Sequence, residues 1–311
     1  MNLFVSLKYL VALDDHKHFG RAALACHVTQ PALSNALRAL EESYGTAIVK
    51  RGRSFGGFTP EGERILASAR RMLHEQELLE QDLRSRVDAP QGHLLIGAVP
   101  TAVPIAARFA AVLQARHPGI VPTVRSMSSM ELEAKLEDLA LDLGLGYAER
   151  SDIRRAPLQL VAQYPEHYFL LRRGEGGNDG LHIGAPIGWR DAAALPLCLM
   201  SPEMHNRSIV DRAFAAAGVR AQVAMETNSI VTLTLAVQAG QVASIMPGAL
   251  VAMVQGQAGL LANPLTAPDV VVPMAFMLNE GSVLSQTLTA ALAMAREPAW
   301  LQQAQRFACV P

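Results

Sequence analysis

The chain of 311 residues has little of what stabilises secreted or membrane-embedded proteins. It holds three cysteines, Cys26, Cys198 and Cys309, far apart and with no CxxC pair. That spacing excludes a disulfide framework and a cysteine zinc site, and reduced, buried or inert thiols are expected. No stretch reaches 18 uninterrupted apolar residues, so no membrane span is expected. The first twenty residues lack the basic start, apolar run and cleavage site of a signal peptide, which points to the cytoplasm. An excess of one charge sign is missing too: the formal net charge is −1. This argues against binding polyanions over the whole surface. GxSxG, GxxxxGK[ST] and HExxH are all absent. Gly174-Glu175-Gly176-Gly177 lacks the spacing of a phosphate loop. His16 and His18 flank Lys17 as a solvated helix end, and Asp138 and Asp142 read as solvated carboxylates. Neither an enzyme, a cofactor nor a metal site is expected.

What remains is ample core material. Half of the residues are hydrophobic and 18% are charged, which excludes wholesale disorder. The length suits two to three domains of roughly 100–200 residues. Leu3, Leu7, Leu10, Val11 and Leu13 recur at helical spacing. Gly20 to Cys26 reads as a second, short helix. His27-Val28-Thr29 makes a tight turn, with Thr29 as the cap of a third helix and Pro31 in its first turn. Ala32, Leu33, Ala36, Leu37 and Leu40 give that helix one apolar face, and Ser34, Asn35 and Arg38 fall on others. Two helices joined by such a turn form a helix-turn-helix, whose second helix offers residues to the major groove. Gly45 ends the third helix. Ile48 to Arg51 and Phe55 to Phe58 are expected to pair as a two-stranded wing.

The run Phe19-Gly20-Arg21-Ala22-Ala23, then Val28-Thr29-Gln30-Pro31-Ala32-Leu33-Ser34, then Leu40-Glu41 and Gly45, resembles the DNA-binding domain of LysR-type transcriptional regulators. Lys50-Arg51 and Phe58-Thr59-Pro60-Glu61-Gly62 are similar to that family's wing and the start of its linker helix. Asn35-Ala36 departs from the Arg-Gln pair common there. The resemblance implies an α/β chain with a winged helix-turn-helix domain (1–58), a long linker helix that pairs two copies (59–87), a hinge (88–91) and an effector-binding domain (92–311). The last is expected to resemble periplasmic binding proteins. Its two Rossmann-like subdomains would take 92–162 with 268–311, and 163–267. Implied partners are double-stranded promoter DNA, a small-molecule effector and further copies of the chain as dimer and tetramer, with RNA polymerase as a further candidate.

The residue pattern is compatible with this plan. Ile65, Ala69, Met72, Gln76, Leu79 and Leu83 step by four and three, a seam suited to a partner helix. Beyond residue 92, strands alternate with helices, which argues for α/β layers and a mainly parallel sheet. For DNA the candidate residues are Thr29, Gln30, Pro31, Ala32, Ser34, Asn35 and Arg38 on or beside the reading helix, and Arg51 and Arg53 on the wing. For the effector they are residues at strand ends: Pro100, Thr101, Met127, Ser128 and Ser129 on one side, and Met200, His205, Asn206, Thr227, Asn228, Ser229, Met246 and Pro247 on the other. With no arginine evident there, a small, weakly polar or singly anionic metabolite is expected, and His205 reads either as a pH-sensitive contact or as a plain surface histidine. Two rivals are weaker. A transport-type binding protein leaves the helix-turn-helix unexplained, and an enzyme with an accessory domain lacks a catalytic constellation. Charge is unevenly spread: residues 1–71 carry ten Lys/Arg against six Asp/Glu, a net +4, while 72–88 carry −3 and the remainder −2. The positive excess lies on the expected DNA-binding module.

Overall fold

Short polar caps and leucines at helical spacing set the first elements of the computed structural model. It describes residues 2–50, 52, 55–84, 89–150, 157–174, 180–282 and 284–308. Helix α1 (Leu3–His16) begins where the Asn2 side chain accepts from Val5 N–H, and it buries Leu7, Leu10 and Leu13. Helix α2 (Phe19–Ala25) is capped by His18, whose Nδ1 accepts from the backbone N–H groups of Gly20 and Arg21. Helix α3 (Gln30–Tyr44) is capped by Thr29 Oγ1 and ends at Gly45, where φ is +65°. Helix α4 (Pro60–Arg84) has 25 residues, about 37 Å of helix. The expected continuation to Val87 lies outside the described residues. Among those residues, no helix is long and apolar enough to cross a membrane.

The chain divides into two compact units, Met1–Arg84 with Asp138–Ala140, and the rest. In the first unit, leucines of α1 and α3 meet Ile48, Phe58, Leu66 and Ala69 in one core. Two features differ from expectation. Among the described residues, the wing shows one antiparallel bridge, Val49 to Phe58, extended by Lys50 N–H donating to Gly57 O and Thr59 N–H to Ile48 O. The helix seam is also split. Ala69 is fully buried in this unit's own core, and Ile65 packs against it, whereas Met72, Leu79 and Leu83 are exposed. A helix that starts inside a domain must first bury its apolar stripe there, so only the later positions are left for a partner. Arg70 Nη2 holds α4 to the end of α1 through Asp14 at 2.7 Å and Asp15 at 2.9 Å.

The second unit is built on a mixed sheet. Strand β1 (Gly92–Ala98) is followed by a 3₁₀ turn, Pro100–Ala102, and α5 (Val103–Arg116). Then come β2 (Ile120–Ser126), α6 (Ser129–Glu137), β3 (Leu143–Tyr147) and the long β4 (Leu158–Arg173). Beyond β4 lie β5 (Leu181–Ile183), β6 (Ile187–Gly188), α7 (Trp189–Ala192), β7 (Pro196–Met200), α8 (His205–Ala216), β8 (Gln222–Thr227) and α9 (Ile230–Gln238). The chain closes with β9 (Ser244–Pro247), α10 (Gly248–Met253), β10 (Leu260–Thr266), β11 (Val271–Asn279), α11 (Gln286–Ala295) and α12 (Pro298–Ala308). β2, β1 and β3 are parallel neighbours, and β11 is antiparallel to β3 and to β4. Past His167, β4 changes partners and runs antiparallel to β9 and β10. The expected subdomain border at 162/163 therefore falls inside one continuous strand.

β4 carries a bulge at Gln163, where the register against β11 shifts. The buried Gln163 accepts from Trp300 Nε1 at 2.7 Å and donates to Ala295 O at 3.2 Å, tying the strand to α11 and α12. Asp142, expected to be solvated, instead accepts from Leu95 N–H at 2.7 Å.

Gly62 in the first turn of α4 has the least room for a side chain of the described glycines in the first unit. A Cβ there would stand 2.1 Å from Ile48 O. Gly62→Ala should destabilise that unit by about 1–3 kcal/mol, because the backbone carbonyl has no room to yield. Hydrogen exchange should rise in peptides covering residues 47–66; unchanged exchange and melting would contradict the close packing.

Candidate functional site

The first unit presents one face of α3 to solvent. Leu33, Leu37 and Leu40 point into the core, which turns Gln30, Pro31, Ala32, Asn35 and Arg38 outward with the preceding Thr29. Ser34 is half-buried. Thr29 Oγ1 accepts from Ala32 N–H at 3.3 Å, so its side chain shapes the helix start. A concavity of about 460 Å³ runs between α3 and the wing, lined by Ser34, Arg38, Glu41, Lys50 and Gly52 among others. Glu41 fixes its geometry: Oε1 accepts from the backbone N–H groups of Ile48 at 2.7 Å and Val49 at 3.1 Å. Phe55 stacks edge-on between Phe19 and Phe58 and holds the far side of the wing to α2. Arg51 and Arg53 lie outside the described residues. The arrangement presents amide, hydroxyl and guanidinium groups along one helix beside a lysine, the chemistry that base edges and phosphates require.

In the second unit, strand ends from both halves converge on a polar cluster. Thr101 Oγ1 lies 2.8 Å from Tyr147 Oη, and both residues are buried. Tyr147 stacks on the ring of His205, with centroids 4.8 Å apart. Asn206 Nδ2 donates to Tyr168 Oη at 3.1 Å. Arg150 forms a bidentate pair with Glu133, at 2.5 and 3.3 Å, and its Nη1 donates to His205 Nδ1 at 3.0 Å. Alternation along β4 puts Tyr164, Glu166 and Tyr168 on one face. Glu166 is fully buried, and neither carboxylate oxygen has a hydrogen-bond partner among the described residues; Tyr164 Oη is likewise buried and unpartnered there. Burial pushes the Glu166 carboxyl up to about 8. Burial, then the charge of Glu166, pushes the Tyr147 and Tyr164 phenols above their ordinary value.

The candidate effector residues divide into two groups. Thr101, His205 and Asn206 belong to this cluster. Ser128 and Ser229 serve as helix caps, accepting from Glu131 and Thr232 N–H, and Thr227 accepts from Ser229 N–H. Pro100 is half-buried and follows β1; Ser129 and Met127 are buried beside α6. Met200, Met246 and Pro247 are buried at strand ends, and Asn228 is exposed. One expectation is corrected. Burial, and then the charges of Arg150 and Arg212, push His205 down to about 4. The ring is therefore neutral near pH 7 and is no switch there. Arg150, Glu133, Tyr147, Tyr164, Glu166 and Tyr168 were missed. For the last three a signal was present in Tyr164-Pro165-Glu166-His167-Tyr168, where Tyr164, Glu166 and Tyr168 alternate along the strand. Among the described residues, no group of three or more His, Cys, Asp or Glu is arranged to hold a metal ion.

Comparison with known proteins follows the same division. Residues 4–63 match the family model described as bacterial regulatory helix-turn-helix protein, lysR family, and residues 88–300 match that of the LysR substrate binding domain. A hydrogen peroxide-inducible genes activator of Dickeya chrysanthemi is 34% identical over 140 residues, 45% of this chain and 46% of that protein. The HTH-type transcriptional regulator CfxR of Cupriavidus necator is 34% identical over 139 residues, 45% of this chain and 44% of that protein. These alignments thus span a little under half the length of each relative. A full-length OxyR from Pseudomonas aeruginosa, solved as a cysteine-to-aspartate variant, superposes with a TM-score of 0.67 at 22% identity, covering 98% of both chains. Full-length CbnR in complex with its target DNA gives 0.65 at 19%, covering 97% of this chain and 99% of that one. At such identities the two structures establish a shared fold.

Glu166 sets a measurable pH dependence. Its folded-state pKa, about 8, lies above the ordinary 4.5, so the folded form holds a proton that the unfolded form has released. Stability therefore falls as pH rises through that window and levels off above it. Tyr147, Tyr164 and Tyr168 stay neutral throughout, and the nearby Arg150 is paired with Glu133. Glu166→Gln should match the parent's melting temperature at pH 4 and exceed it by about 10 °C at pH 8.5. A gap independent of pH would contradict an unpaired buried carboxyl.

Proposed function

The chain belongs to the LysR family, and on that premise we propose that it is a sequence-specific DNA-binding transcription regulator whose DNA affinity or geometry responds to a small metabolite. The observation that carries this is the outward face of α3, from Gln30 to Arg38, set beside Lys50 on a wing fixed by Glu41. Residues 1–58 read DNA, 59–87 pair two copies, 88–91 form a hinge and 92–311 bind the effector. The exposed Met72, Leu79 and Leu83 supply the apolar surface for a partner helix. A homodimer presents two reading helices to related half-sites, and a tetramer covers two such pairs. Contact with RNA polymerase belongs to the same proposal, as does a cytoplasmic place of work.

Gln30 and Asn35 have the amide geometry to read adenine, Ser34 serves a base or phosphate, and Arg38 faces guanine or backbone. Arg51 and Arg53 are assigned to phosphate or the minor groove. The effector sits among Thr101, Tyr147, His205 and Asn206, where both halves of the second unit contribute groups. It acts by binding one arrangement of the halves better than another.

Relatives named for hydrogen peroxide raise a second reading, thiol oxidation. The described cysteines do not favour it: burial pushes the Cys26 and Cys198 thiols up, and Cys198 is fully buried in β7. A peroxide-reactive thiol needs an accessible thiolate.

A gel-shift titration with DNA from upstream of the protein's own gene tests the reading. A sequence-specific shift at moderate salt is expected, and its absence would refute it. Gln30→Ala should relax discrimination between operator and scrambled DNA by about 1–3 kcal/mol. Equal discrimination in parent and variant would remove Gln30 from the reading surface.

A further inference from the structure

Resting on the reading of the cleft as the effector site, we propose that the effector carries a protonated, N–H-bearing nitrogen and that Glu166 is the group that holds it. The sequence alone had favoured a weakly polar or anionic metabolite, and the floor of the cleft argues otherwise.

Glu166 lies on β4 between Tyr164, which pairs opposite Met274 of β11, and Tyr168, which pairs opposite Pro247 of β9. It therefore stands where the strand leaves one half of the unit and enters the other. The neighbouring hydroxyls are engaged, Tyr147 with Thr101 and Tyr168 with Asn206. The nearby guanidinium is engaged as well, because Arg150 grips Glu133 and His205. What is left without a partner on this floor, among the described residues, is Glu166 Oε1, Glu166 Oε2 and Tyr164 Oη. The floor thus leaves a carboxyl and a phenol without partners, while the guanidinium of Arg150 is already paired. Burying a lone carboxylate is costly, and it is tolerated where a complementary charge arrives or the group stays protonated. An anionic ligand finds no unpaired cation there, only the O–H groups of Tyr164 and of the protonated Glu166, whereas the deprotonated carboxylate needs a counter-charge. An ammonium or guanidinium supplies both the counter-charge and N–H donors. The surroundings suit such a head group, because the buried tyrosines Tyr147, Tyr164 and Tyr168 carry aromatic rings, which attract cations.

Binding has a proton balance. The carboxyl is largely protonated at pH 7, since burial holds it at about 8. An arriving ammonium ion forms N–H···O bonds to the carboxylate, and the carboxyl proton leaves to solvent. Close to one proton should be released per ligand, and the complex should tighten with rising pH.

The full chain is titrated calorimetrically at pH 7 with n-butylammonium, ethanolammonium and guanidinium chlorides. The sodium salts of butyrate, glycolate and succinate serve as the matched series. Phosphate and MOPS buffers, which differ in ionisation enthalpy and contain no primary ammonium or guanidinium, count the protons. The expected result is that the ammonium series binds with proton release, and that Glu166→Gln weakens it at least tenfold and abolishes the release. Circular dichroism and melting establish that the variant folds. Equal binding of the ammonium series by parent and variant, without proton release, would overturn the role of Glu166. Binding confined to the carboxylates and lost in Thr101→Val would overturn the proposal and leave the cleft standing as the effector site. No binding by either series up to tens of millimolar would overturn the cleft reading and the proposal with it.

Discussion

An extended strand sends successive side chains to opposite faces, and β4 is long enough to apply that rule in both halves of the second unit. The strand pairs with β11 over its first part and with β9 and β10 over its last. Between those partners one face must pass from one sheet to the other, and it does so with Tyr164, Glu166 and Tyr168. The polar cluster gathers on that face. Tyr147 arrives from the end of β3, Thr101 from the turn after β1, and His205 and Asn206 from the start of α8. Parallel strands deliver their carboxyl ends to one edge, so the polar groups meet there without any long loop to carry them.

A comparable economy governs the first unit. Backbone atoms of Ala47, Ile48 and Val49 are claimed from two sides, by Glu41 of α3 and by Thr59 ahead of α4. The wing needs little ladder of its own because these contacts and the Phe19–Phe55–Phe58 stack hold it. Gly62 permits α4 to start directly against the Ile48 carbonyl. The reading helix, the wing and the long helix are thereby braced through three neighbouring peptide groups.

The sequence was informative where local chemistry is strong. Thr29 and Thr59 as caps, Pro31 in a first turn, Gly45 as a stop and the strands and helices from 92 to 147 were all legible, because capping and periodicity act over a few residues. The solvent-facing side of α3, with Gln30, Asn35 and Arg38, was legible for the same reason. Other elements were hidden. β10 contains Asn263-Pro264, which reads as a break, yet Asn263 is buried and bonds to Ala185 O. α12 follows Pro298 and was absorbed into an undefined tail. The cleft floor was missed because its meaning depends on tertiary placement. Glu166 looks like a solvated strand residue until the two sheets close over it, and Arg150 looks like loop charge until Glu133 and His205 are brought beside it.

The opposite side of β4 adds a mechanical consequence. Gln163 is bolted to α11 and α12 through Ala295 and Trp300. On this crossover, β4 stays paired with β11 as far as His167 and meets β9 from Tyr168, so the change from one half to the other falls at that step, beyond Gln163. On the proposal that Glu166 holds the effector, the ligand is seated within two residues of that step, so its pull reaches the crossover without a relay of intervening side chains.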